Sequence, residues 1–335
     1  MEIPKICVSI PVYNTDIEIL KQCINSVLDQ TYTNIEIVIS NNHSNPSVSR
    51  YLDELAINYC TVKIIQPKEF LELGENFLYV LENSSGDYVC YLSSDDILMP
   101  NCIEELFNGM CKREDVVFGH GKALYFNALG SETVSWDYFR GVEGVYNLDT
   151  NTLKCLFDFK YICFAGLLVK RHFLIQSIRD YRISKLNLSI TLDIYFTFVF
   201  FNMGNLYYSN KILSKVREAN DYRSSRFPLM VSDAYDIFEF WRKNIFDEGS
   251  LIELRDSRLR YYDNSFKVLR RYLYSKEISK VEFQATLTNL SKFEIRQNLS
   301  KFHLIYFFKF HFDFFSSFGN KILRVKRFFY ERKEL

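Results

Sequence analysis

The sequence lacks a CxxC pair, and its eight cysteines show no regular spacing. This absence excludes the zinc-ribbon and disulfide-framework classes of small domain. We expect the cysteines to act as small core hydrophobes in a reducing compartment. The chain also lacks an excess of either charge, since 41 lysine and arginine residues balance 41 aspartate and glutamate residues. The chain therefore has no net electrostatic attraction to nucleic acid. A charged partner would have to bind a local patch of opposite charge on the surface.

Leader and membrane-spanning patterns are missing as well. The N-terminal sequence MEIPKICVSIPVYN has no basic leader followed by a long apolar stretch. No later charge-free run is long enough for a membrane-spanning helix. We therefore expect neither a signal peptide nor an N-terminal anchor. The expected protein is cytoplasmic, and either soluble or peripheral on the inner face of the cell membrane.

What the first hundred residues do contain is an alternation of strand and helix patterns. The run from Lys5 to Tyr13 is apolar and rich in β-branched residues, as expected for a strand covered on both faces. Thr15 and Glu18 fit a capping box for the helix that follows. An α/β fold with a mostly parallel sheet flanked by helices is therefore predicted. Its further strands are expected at Asn34–Ser40, Val62–Gln66 and Tyr88–Ser93.

Beyond Pro100 the pattern is less regular. A helix and the strand DVVFGH come next, and the polar segment 122–158 is irregular enough to be a lid or a substrate loop. Another strand is predicted at Tyr161–Arg171. From Pro228 onward long amphipathic helical segments dominate. The sequence thus predicts an α/β domain over residues 1–227 and a helical C-terminal extension over 228–335.

Polar clusters follow three of the predicted strands: PVYN, SNNHS and SSDDILMP. In an open parallel sheet, ligands bind beyond the carboxyl ends of the strands, so these clusters should converge on one crevice. The adjacent carboxylates of Asp95 and Asp96 repel each other unless a cation or a proton lies between them. A hard divalent ion that carries phosphate oxygens would neutralise them. At this point a structural role is equally open, because the pair could cap a helix that begins at Ile97.

Taken in order, SIPVYN, SVLDQTYTNIEIVISNNHS and NFLYVLENSSGDYVCYLSSDDILMP resemble the inverting glycosyltransferases of family two, of the bacterial surface-polysaccharide type. The resemblance runs through roughly the first two thirds of the chain, and it implies the GT-A fold and a nucleotide-sugar donor. It also implies that Tyr13 packs on the nucleobase. Asn41 and Asn42 stand where the family has two aspartates, one of which binds the base. An asparagine amide still offers a donor and an acceptor. The resemblance further implies that the turn after the first strand is shaped by Pro11, Val12 and Asn14.

The resemblance implies a divalent cation, Mn²⁺ or Mg²⁺, on the donor diphosphate. The family's motif is Asp-any-Asp, and Ser93 takes its first position here. Asp95 is then the principal metal ligand, and Asp96 completes the predicted metal site as a neighbour that can bind water or sugar hydroxyls. One carboxylate with two phosphate oxygens and several waters suffices for such an ion. The same resemblance assigns Ser94 and Asn76 to the donor site, although a structural helix asparagine is an equal alternative for Asn76.

Inverting sugar transfer needs a base that takes the proton of the acceptor hydroxyl. In the family this carboxylate begins a helix after the sheet. Asp193 is the only acid within SITLDIYFTFVFFNMGNLYY, and we predict that it is the base. The alternative role for Asp193 is a helix cap. Asp158 and Asp180 are weaker substitutes because their surroundings are more polar.

The basic segment KILSKVREANDYRSS lies where related enzymes carry a loop that closes over the diphosphate. A cation there would stabilise the charge that develops on the leaving group. A solvated surface run is an equal alternative for the segment. The isolated histidines His43, His120 and His172 are expected in core or surface roles. The candidate cations are Arg217, Lys215, Arg223 and Arg226.

The segment 301–335 concentrates phenylalanine with lysine and arginine. Such a helix could lie at a membrane interface or pack on the catalytic domain, and we favour membrane contact. The resemblance therefore implies sugar transfer to a saccharide acceptor, which is expected to be lipid-linked, in lipopolysaccharide or capsule synthesis. One alternative is a sugar nucleotidyltransferase, but PVYNTD lacks the glycine-rich basic loop that it needs. Another is a non-catalytic, nucleotide-binding membrane scaffold, which Ser93, Asn41 and Asn42 favour.

Overall fold

The structure is a computed structural model that describes residues 3–127, 130–134, 139, 141–157, 163–189, 191–218, 222–245, 248–274 and 286. Ten strands lie within these residues. They are β1 Ile6–Val12, β2 Ile35–Asn41, β3 Val62–Ile65, β4 Tyr88–Tyr91, β5 Ile97–Leu98, β6 Val116–Phe126, β7 Glu132–Val134, β8 Gly144–Tyr146, β9 Leu167–Lys170 and β10 Asn205–Arg217.

The same residues contain nine helices. They are α1 Ile17–Leu28, α2 Pro46–Asn58, α3 Leu73–Glu82, α4 Cys102–Met110, α5 Thr150–Phe157, α6 Arg171–Ser184, α7 Leu192–Met203, α8 Tyr222–Asn244 and α9 Glu248–Tyr274. None of the helices in the described part of the chain has the length and apolarity to cross a membrane.

All ten strands join one sheet: eight follow the order β3-β2-β1-β4-β9-β6-β10-β5, while β7 pairs with β6 and β8 pairs with β10. Strands β1 to β4 pair in parallel, as the alternation of strand and helix patterns predicts. Strand β9 then enters antiparallel between β4 and β6, and β10 runs parallel to β6. The α/β fold class is confirmed, and its parallel character is concentrated in the half of the sheet that carries the polar clusters.

Helices cover both faces of the sheet. One buried cluster packs α1, α2 and α4 against β1 and β2, and it includes Leu20, Leu52 and Leu106. The other packs α3, α6, α7 and α8 against the opposite face and includes Phe196 and Trp241. Helix α7 is apolar on nearly every side, and residues 194–201 are all buried. A helix with this composition belongs inside the core, so α7 runs through the interior and brings Asp193 with it.

Two local predictions were wrong. The N-cap of α1 is Asp16, whose Oδ1 accepts hydrogen bonds from the backbone N–H groups of Glu18 at 2.9 Å and Ile19 at 3.2 Å. Thr15 therefore caps nothing, and its hydroxyl contacts another segment. No helix begins at Ile97, since Ile97–Leu98 is the short strand β5 and pairs with β10. The adjacent carboxylates of Asp95 and Asp96 are thus not the cap of a helix.

The segment after β6 is more regular than its polarity indicates. Strand β6 continues to Phe126, and β7, β8 and α5 follow before residue 158. Strand β9 begins only at Leu167, later than predicted. The predicted boundary after residue 227 falls inside α8, whose residues Val231 and Trp241 belong to the same core as α7. The division into two domains stays a prediction, and Asp158 and the aromatic and basic segment 301–335 lie outside the described residues.

Candidate active site

The segments that follow β1, β2 and β3 are joined by side-chain hydrogen bonds. The backbone N–H of Asn14 donates to Ser44 Oγ at 3.2 Å, and Asn14 Oδ1 accepts from the N–H of Asn45 at 2.8 Å. Asn14 itself has a φ of 50°, a left-handed conformation that asparagine tolerates better than most residues. Asn42 then bridges to Leu71 with two hydrogen bonds of 2.7 and 2.9 Å. The polar clusters after β1 and β2 therefore meet at one edge of the sheet, as predicted.

The carboxylate segment after β4 reaches the same edge. Thr15 Oγ1 and Ser94 Oγ lie 2.6 Å apart and join the segments after β1 and β4. Asp95 is partly exposed, whereas Asp96 is only 5% exposed. Burial raises the pKa of Asp96 well above its usual range, and the charge of Asp95 raises it further. Asp96 is thus a buried carboxyl next to the partly exposed carboxylate of Asp95.

Arg217, at the end of β10, locks the carboxylate segment in place. Its backbone N–H donates to Asp96 Oδ1 at 3.0 Å, and its Nε donates to the carbonyl of Asp95 at 3.2 Å. Its Nη2 reaches Gln22 on α1 at 2.9 Å, and the guanidinium lies 4.6 Å from the ring centre of Phe126. The guanidinium of Arg217, at the end of β10, therefore lies beside the segment of Asp95 and Asp96, where the donor phosphates are predicted to bind. Sequence analysis missed Gln22, because a glutamine on a polar helix face carries no signal.

The other predicted cations differ in position. Lys215 also lies in β10, where it pairs with Ile97. Arg223 and Arg226 fall in the first turns of α8, and their side chains lie outside the described residues. The part of the predicted basic loop up to Arg217 is therefore the last part of strand β10. Only this arginine is placed by described contacts at the carboxylates.

An exposed aromatic pair borders the crevice. Tyr13 follows β1, Phe70 lies in the loop after β3, and their rings meet edge to face with centroids 4.9 Å apart. About half of each side chain is exposed, at 51% and 48%. Large apolar groups rarely stay exposed together at the ligand-binding end of a sheet without a partner. Sequence analysis missed Phe70, although it is the one aromatic residue of the polar loop KEFLELG.

The asparagine side chains of the site form hydrogen bonds to other residues of the chain. Asn41 donates to Ser49 Oγ at 3.0 Å and accepts from the N–H of Ser44 at 3.1 Å. Asn76 lies on α3, is 3% exposed and accepts from Ser40 Oγ at 2.7 Å. These contacts, with those of Asn42, fix the backbone of the crevice wall. Pro11 and Val12 are buried at the end of β1 and support the turn that carries Tyr13.

Asp193 lies in the first turn of α7 and is partly exposed. Its Oδ1 accepts from the N–H of Ile194 at 2.9 Å, and burial raises its pKa to about 7. A carboxyl with a pKa near 7 exchanges a proton readily at neutral pH, as a general base must. The N-cap of the helix is Thr191, so Asp193 is not its cap. Asp180, the weaker candidate, lies on α6 and accepts from Gln176 at 2.9 Å.

Cys163 links the two carboxyl positions. It precedes β9, it is partly exposed, and both Asp96 and Asp193 help to raise the pKa of its thiol to about 12, after burial as the main cause. Electrostatic effects of this kind act over short distances in a folded protein. Asp96, after β4, and Asp193, on α7, therefore each interact electrostatically with the Cys163 thiol. The sequence pattern predicts Cys163 only as a core residue.

The predicted roles of the histidines hold for the described residues. His120 is 4% exposed, burial lowers its pKa to about 4, and its Nε2 lies 3.9 Å from Cys163 Sγ. It is therefore a neutral core histidine at neutral pH. His43 contacts the carbonyl of Pro67 and the amide of Gln66 with its two ring nitrogens, and His172 is exposed on α6. No group of three or more potential metal ligands occurs in the described chain.

Comparisons with known proteins show which proteins this chain is similar to. Residues 7–163 match the family model described as Glycosyl transferase family 2. Glycosyltransferase GlyA of Streptococcus pneumoniae is 31% identical over 135 residues, which cover 38% of this chain and 19% of GlyA. Putative glycosyltransferase EpsE of Bacillus subtilis is 24% identical over 244 residues, which cover 72% of this chain and 83% of EpsE. The match to GlyA spans about a fifth of that relative's length.

Solved structures show the same fold. Residues 1–349 of TarS from S. aureus, in complex with UDP, align with a TM-score of 0.52 and 14% identity over 88% of this chain and 93% of that one. The fold is therefore that of the GT-A glycosyltransferases. The segment 7–163 is the part that matches family two within this class, and the family match and the relatives support a transferase.

Proposed function

We propose that this chain transfers one sugar from a nucleotide-sugar donor to a saccharide acceptor with inversion at the anomeric carbon. One observation supports the proposal: an exposed aromatic pair and a partly exposed carboxylate beside an arginine follow the strands, a second carboxyl with a pKa near 7 begins α7, and we propose that all three face one crevice. An aromatic surface, a phosphate site and a base are the three parts that such a reaction needs.

In the proposed reaction, Asp193 takes the proton of an acceptor hydroxyl. The oxygen of that hydroxyl forms a bond to the anomeric carbon, and the bond from this carbon to the donor phosphate breaks on the opposite face of the sugar. The nucleoside diphosphate leaves with the electron pair of the broken bond. Burial favours the neutral form of Asp193, so the carboxylate that forms near neutral pH is a good proton acceptor.

The donor would lie across the ends of β1, β2 and β4. We assign the nucleobase to the rings of Tyr13 and Phe70, because bases stack favourably on exposed aromatic side chains. Asn41, Asn42 and Asn76 would shape the base pocket, and their side chains are already bonded to the surrounding wall. UDP is the first nucleotide to test, since solved structures of TarS contain UDP and UDP-GlcNAc.

A divalent cation fits the phosphate position. Asp95 is a partly exposed carboxylate, and hard ions such as Mn²⁺ and Mg²⁺ prefer oxygen ligands. Asp95 would hold the ion together with donor phosphate oxygens, while Asp96 and Ser94 support the segment. When bound, the ion would neutralise charge on the diphosphate. Arg217 would contribute a fixed positive charge beside Asp95. A solved structure of GalNAc-T7 contains UDP, GalNAc and Mn²⁺ and aligns with a TM-score of 0.50.

The proposed acceptor is a lipid-linked saccharide in surface polysaccharide synthesis at the inner face of the cell membrane. The resemblance of the motifs to bacterial polysaccharide enzymes and the aromatic, basic composition of residues 301–335 support this assignment. The scaffold alternative differs sharply from the enzyme in one respect. A scaffold keeps its function when Asp95 and Asp193 are both neutralised.

A thermal-shift series with UDP, GDP and dTDP, each with and without Mn²⁺, tests donor binding. A ligand that binds only the folded state raises the melting temperature, by roughly 5 °C at a hundredfold excess over Kd for a chain of this size. We expect one nucleotide to give this shift, and a larger one with Mn²⁺. Equal melting temperatures with every nucleotide and with none would contradict a nucleotide-sugar site.

The aromatic pair gives a second test in binding. Tyr13→Ala and Phe70→Ala should each weaken nucleoside diphosphate binding about 5- to 100-fold in calorimetric titrations, because each loses a stacking surface. Tyr13→Phe is the matched control, since it keeps the ring and removes only the hydroxyl, and its Kd should stay within about twofold of the parent. If both alanine variants bind as the parent does, the base lies elsewhere in the crevice.

A further inference from the structure

The turn that precedes α7 is held by a residue from the C-terminal helices. Asp233 lies on α8 and is 2% exposed. Its Oδ2 accepts three hydrogen bonds from this turn: from the N–H of Ser189 at 2.9 Å, and from the N–H and the hydroxyl of Thr191, both at 3.1 Å. One buried oxygen therefore gathers three donors, which is a strong and directional attachment.

The start of α7 departs from usual capping because of this attachment. Thr191 is the N-cap residue, and a threonine there normally accepts a hydrogen bond from the helix. Here the Thr191 side chain makes no such bond. Its hydroxyl donates to Asp233 instead. The N-cap threonine thus gives up its usual bond to the helix, and it does so two residues before the candidate base. Such a departure from normal capping is expected where function depends on the position of a segment.

Two further elements fix the turn from other sides. The hydroxyl of Tyr181, on α6, accepts from the N–H of Leu188 at 2.9 Å. Gly74, on α3, lies so close that a Cβ added to it would be 2.7 Å from the carbonyl oxygen of Leu188. The turn is therefore in contact with α3, α6 and α8. Asp193 follows Thr191 by two residues, so the position of its carboxyl depends on this turn.

We propose that Asp233 is a positioning residue through which helix α8 sets the location of the base Asp193. The proposal rests on the proposed function, because it assigns a consequence for sugar transfer. Asp233 touches no substrate. It acts by holding the turn that begins α7 and by placing a negative charge near Asp193. Misplacing a catalytic group by about 1 Å can cost a hundredfold in rate, so a turn held from three sides has catalytic value.

Charges around Asp193 support the electrostatic part. Asp233 raises the pKa of Asp193, after burial as the main cause. Cys163 also interacts electrostatically with Asp193. On α6, which packs against α7, Arg182 is bonded to Glu75 and Glu82. Asp180, also on α6, accepts from Gln176. Asp233 is thus the acid whose removal should lower the proton affinity of the base.

The experiment measures kcat and KM for sugar transfer against pH, with the full chain and its Asp233→Asn and Asp233→Ala variants. Asp233→Asn keeps an oxygen acceptor but loses the charge, so the acid limb of kcat/KM should move to lower pH, by roughly half a unit. Asp233→Ala leaves three donors without their acceptor, and kcat should fall about 10- to 100-fold with the donor KM unchanged. Above pH 8, where Asp193 is ionised in both variants, a parent-like kcat in Asp233→Asn beside a reduced kcat in Asp233→Ala would support the positioning role.

Asp256→Asn is the matched control, because Asp256 is an acid of α9 that pairs with the exposed Arg255. It should change neither kcat nor the acid limb. If Asp233→Ala does not fold, Thr191→Val removes one of the three donors with little change of volume and should lower kcat without raising KM. Parent-like kcat and an unmoved acid limb in both folded Asp233 variants would overturn the proposal.

A second readout separates this inference from the proposed function. Hydrogen exchange at residues 188–194 should be faster in Asp233→Ala than in the parent and close to the parent in Asp233→Asn. If the parent transfers sugar from no donor, the proposed function fails, and the exchange data still decide whether Asp233 holds the turn. Unchanged exchange in Asp233→Ala would overturn the inference even in an active enzyme.

Discussion

Asp193→Asn should lower kcat for sugar transfer by about 10²- to 10⁴-fold, the contribution typical of a general base. Nucleotide binding should stay close to that of the parent, because the base acts on the acceptor. In the parent, activity should rise with pH through about 7, since the carboxyl accepts a proton only when ionised. The measurement is a pH profile of kcat/KM. The rise of activity through about pH 7 should be absent from the residual activity of Asp193→Asn.

The same substitution should stabilise the fold at alkaline pH. Burial raises the pKa of Asp193 to about 7, so between about pH 4 and 7 the unfolded chain ionises this group while the folded chain does not. The parent therefore loses stability as pH rises through this window. Above pH 7, Asp193→Asn should unfold with a free energy roughly 2–4 kcal/mol higher than the parent, and the difference should vanish near pH 4. Urea unfolding at pH 4 and pH 8 measures both values.

Asp180→Asn is the control for the base. Asp180 is another acid near α7, but it lies on α6 and accepts a hydrogen bond from Gln176. Its neutralisation should leave kcat, and the acid limb near pH 7, unchanged. A loss of activity in Asp180→Asn together with a parent-like Asp193→Asn would transfer the role of base to Asp180.

Asp95→Asn should lower kcat/KM about 10²-fold or more and remove the stimulation by Mn²⁺, because an amide is a much poorer ligand for a hard cation than a carboxylate. The fold should persist, since the contact of Asp95 with Arg217 uses the backbone carbonyl and survives the change. Initial rates against Mn²⁺ concentration provide the measurement. A variant that keeps the parent's metal response would contradict the role of Asp95.

Asp53→Asn is the matched control for Asp95. Asp53 is exposed on α2, so its substitution removes one negative charge without touching the crevice. Its kcat/KM and Mn²⁺ response should equal those of the parent. An equal loss in Asp53→Asn would mean that net charge, not a ligand at the end of β4, governs the metal effect.

The strand and helix periods of the first hundred residues were sufficient to predict β1 to β4 and the helices between them. They also placed the polar clusters at the carboxyl end of the sheet, because parallel pairing brings those ends together. The antiparallel entry of β9 between β4 and β6 was not predicted. Apolar strands of this length look the same whichever way they run, so direction within the sheet is decided by packing.

Candidate groups with a distinctive pattern could be read from the sequence, and groups without one could not. Asp95 stands at the end of an apolar run, and Asp193 is the only acid in another, so each is visible locally. Phe70 lies in a polar loop, and Asp233 lies on a helix with many charged residues. Their importance comes from what they contact: Tyr13 is 57 residues away from Phe70, and Thr191 is 42 residues away from Asp233.

By itself the sequence determined the layered α/β architecture and the choice of the two candidate acids, because hydrophobic periodicity and an isolated charge are properties of neighbouring residues. Only the tertiary structure decided that Asp96 is buried, that Arg217 reaches the carboxylate segment from β10, and that Asp233 holds the turn before Asp193. Burial and long-range hydrogen bonds arise when distant segments pack together. They set the pKa of each carboxyl, and therefore its chemistry, through surroundings that no short stretch of sequence contains.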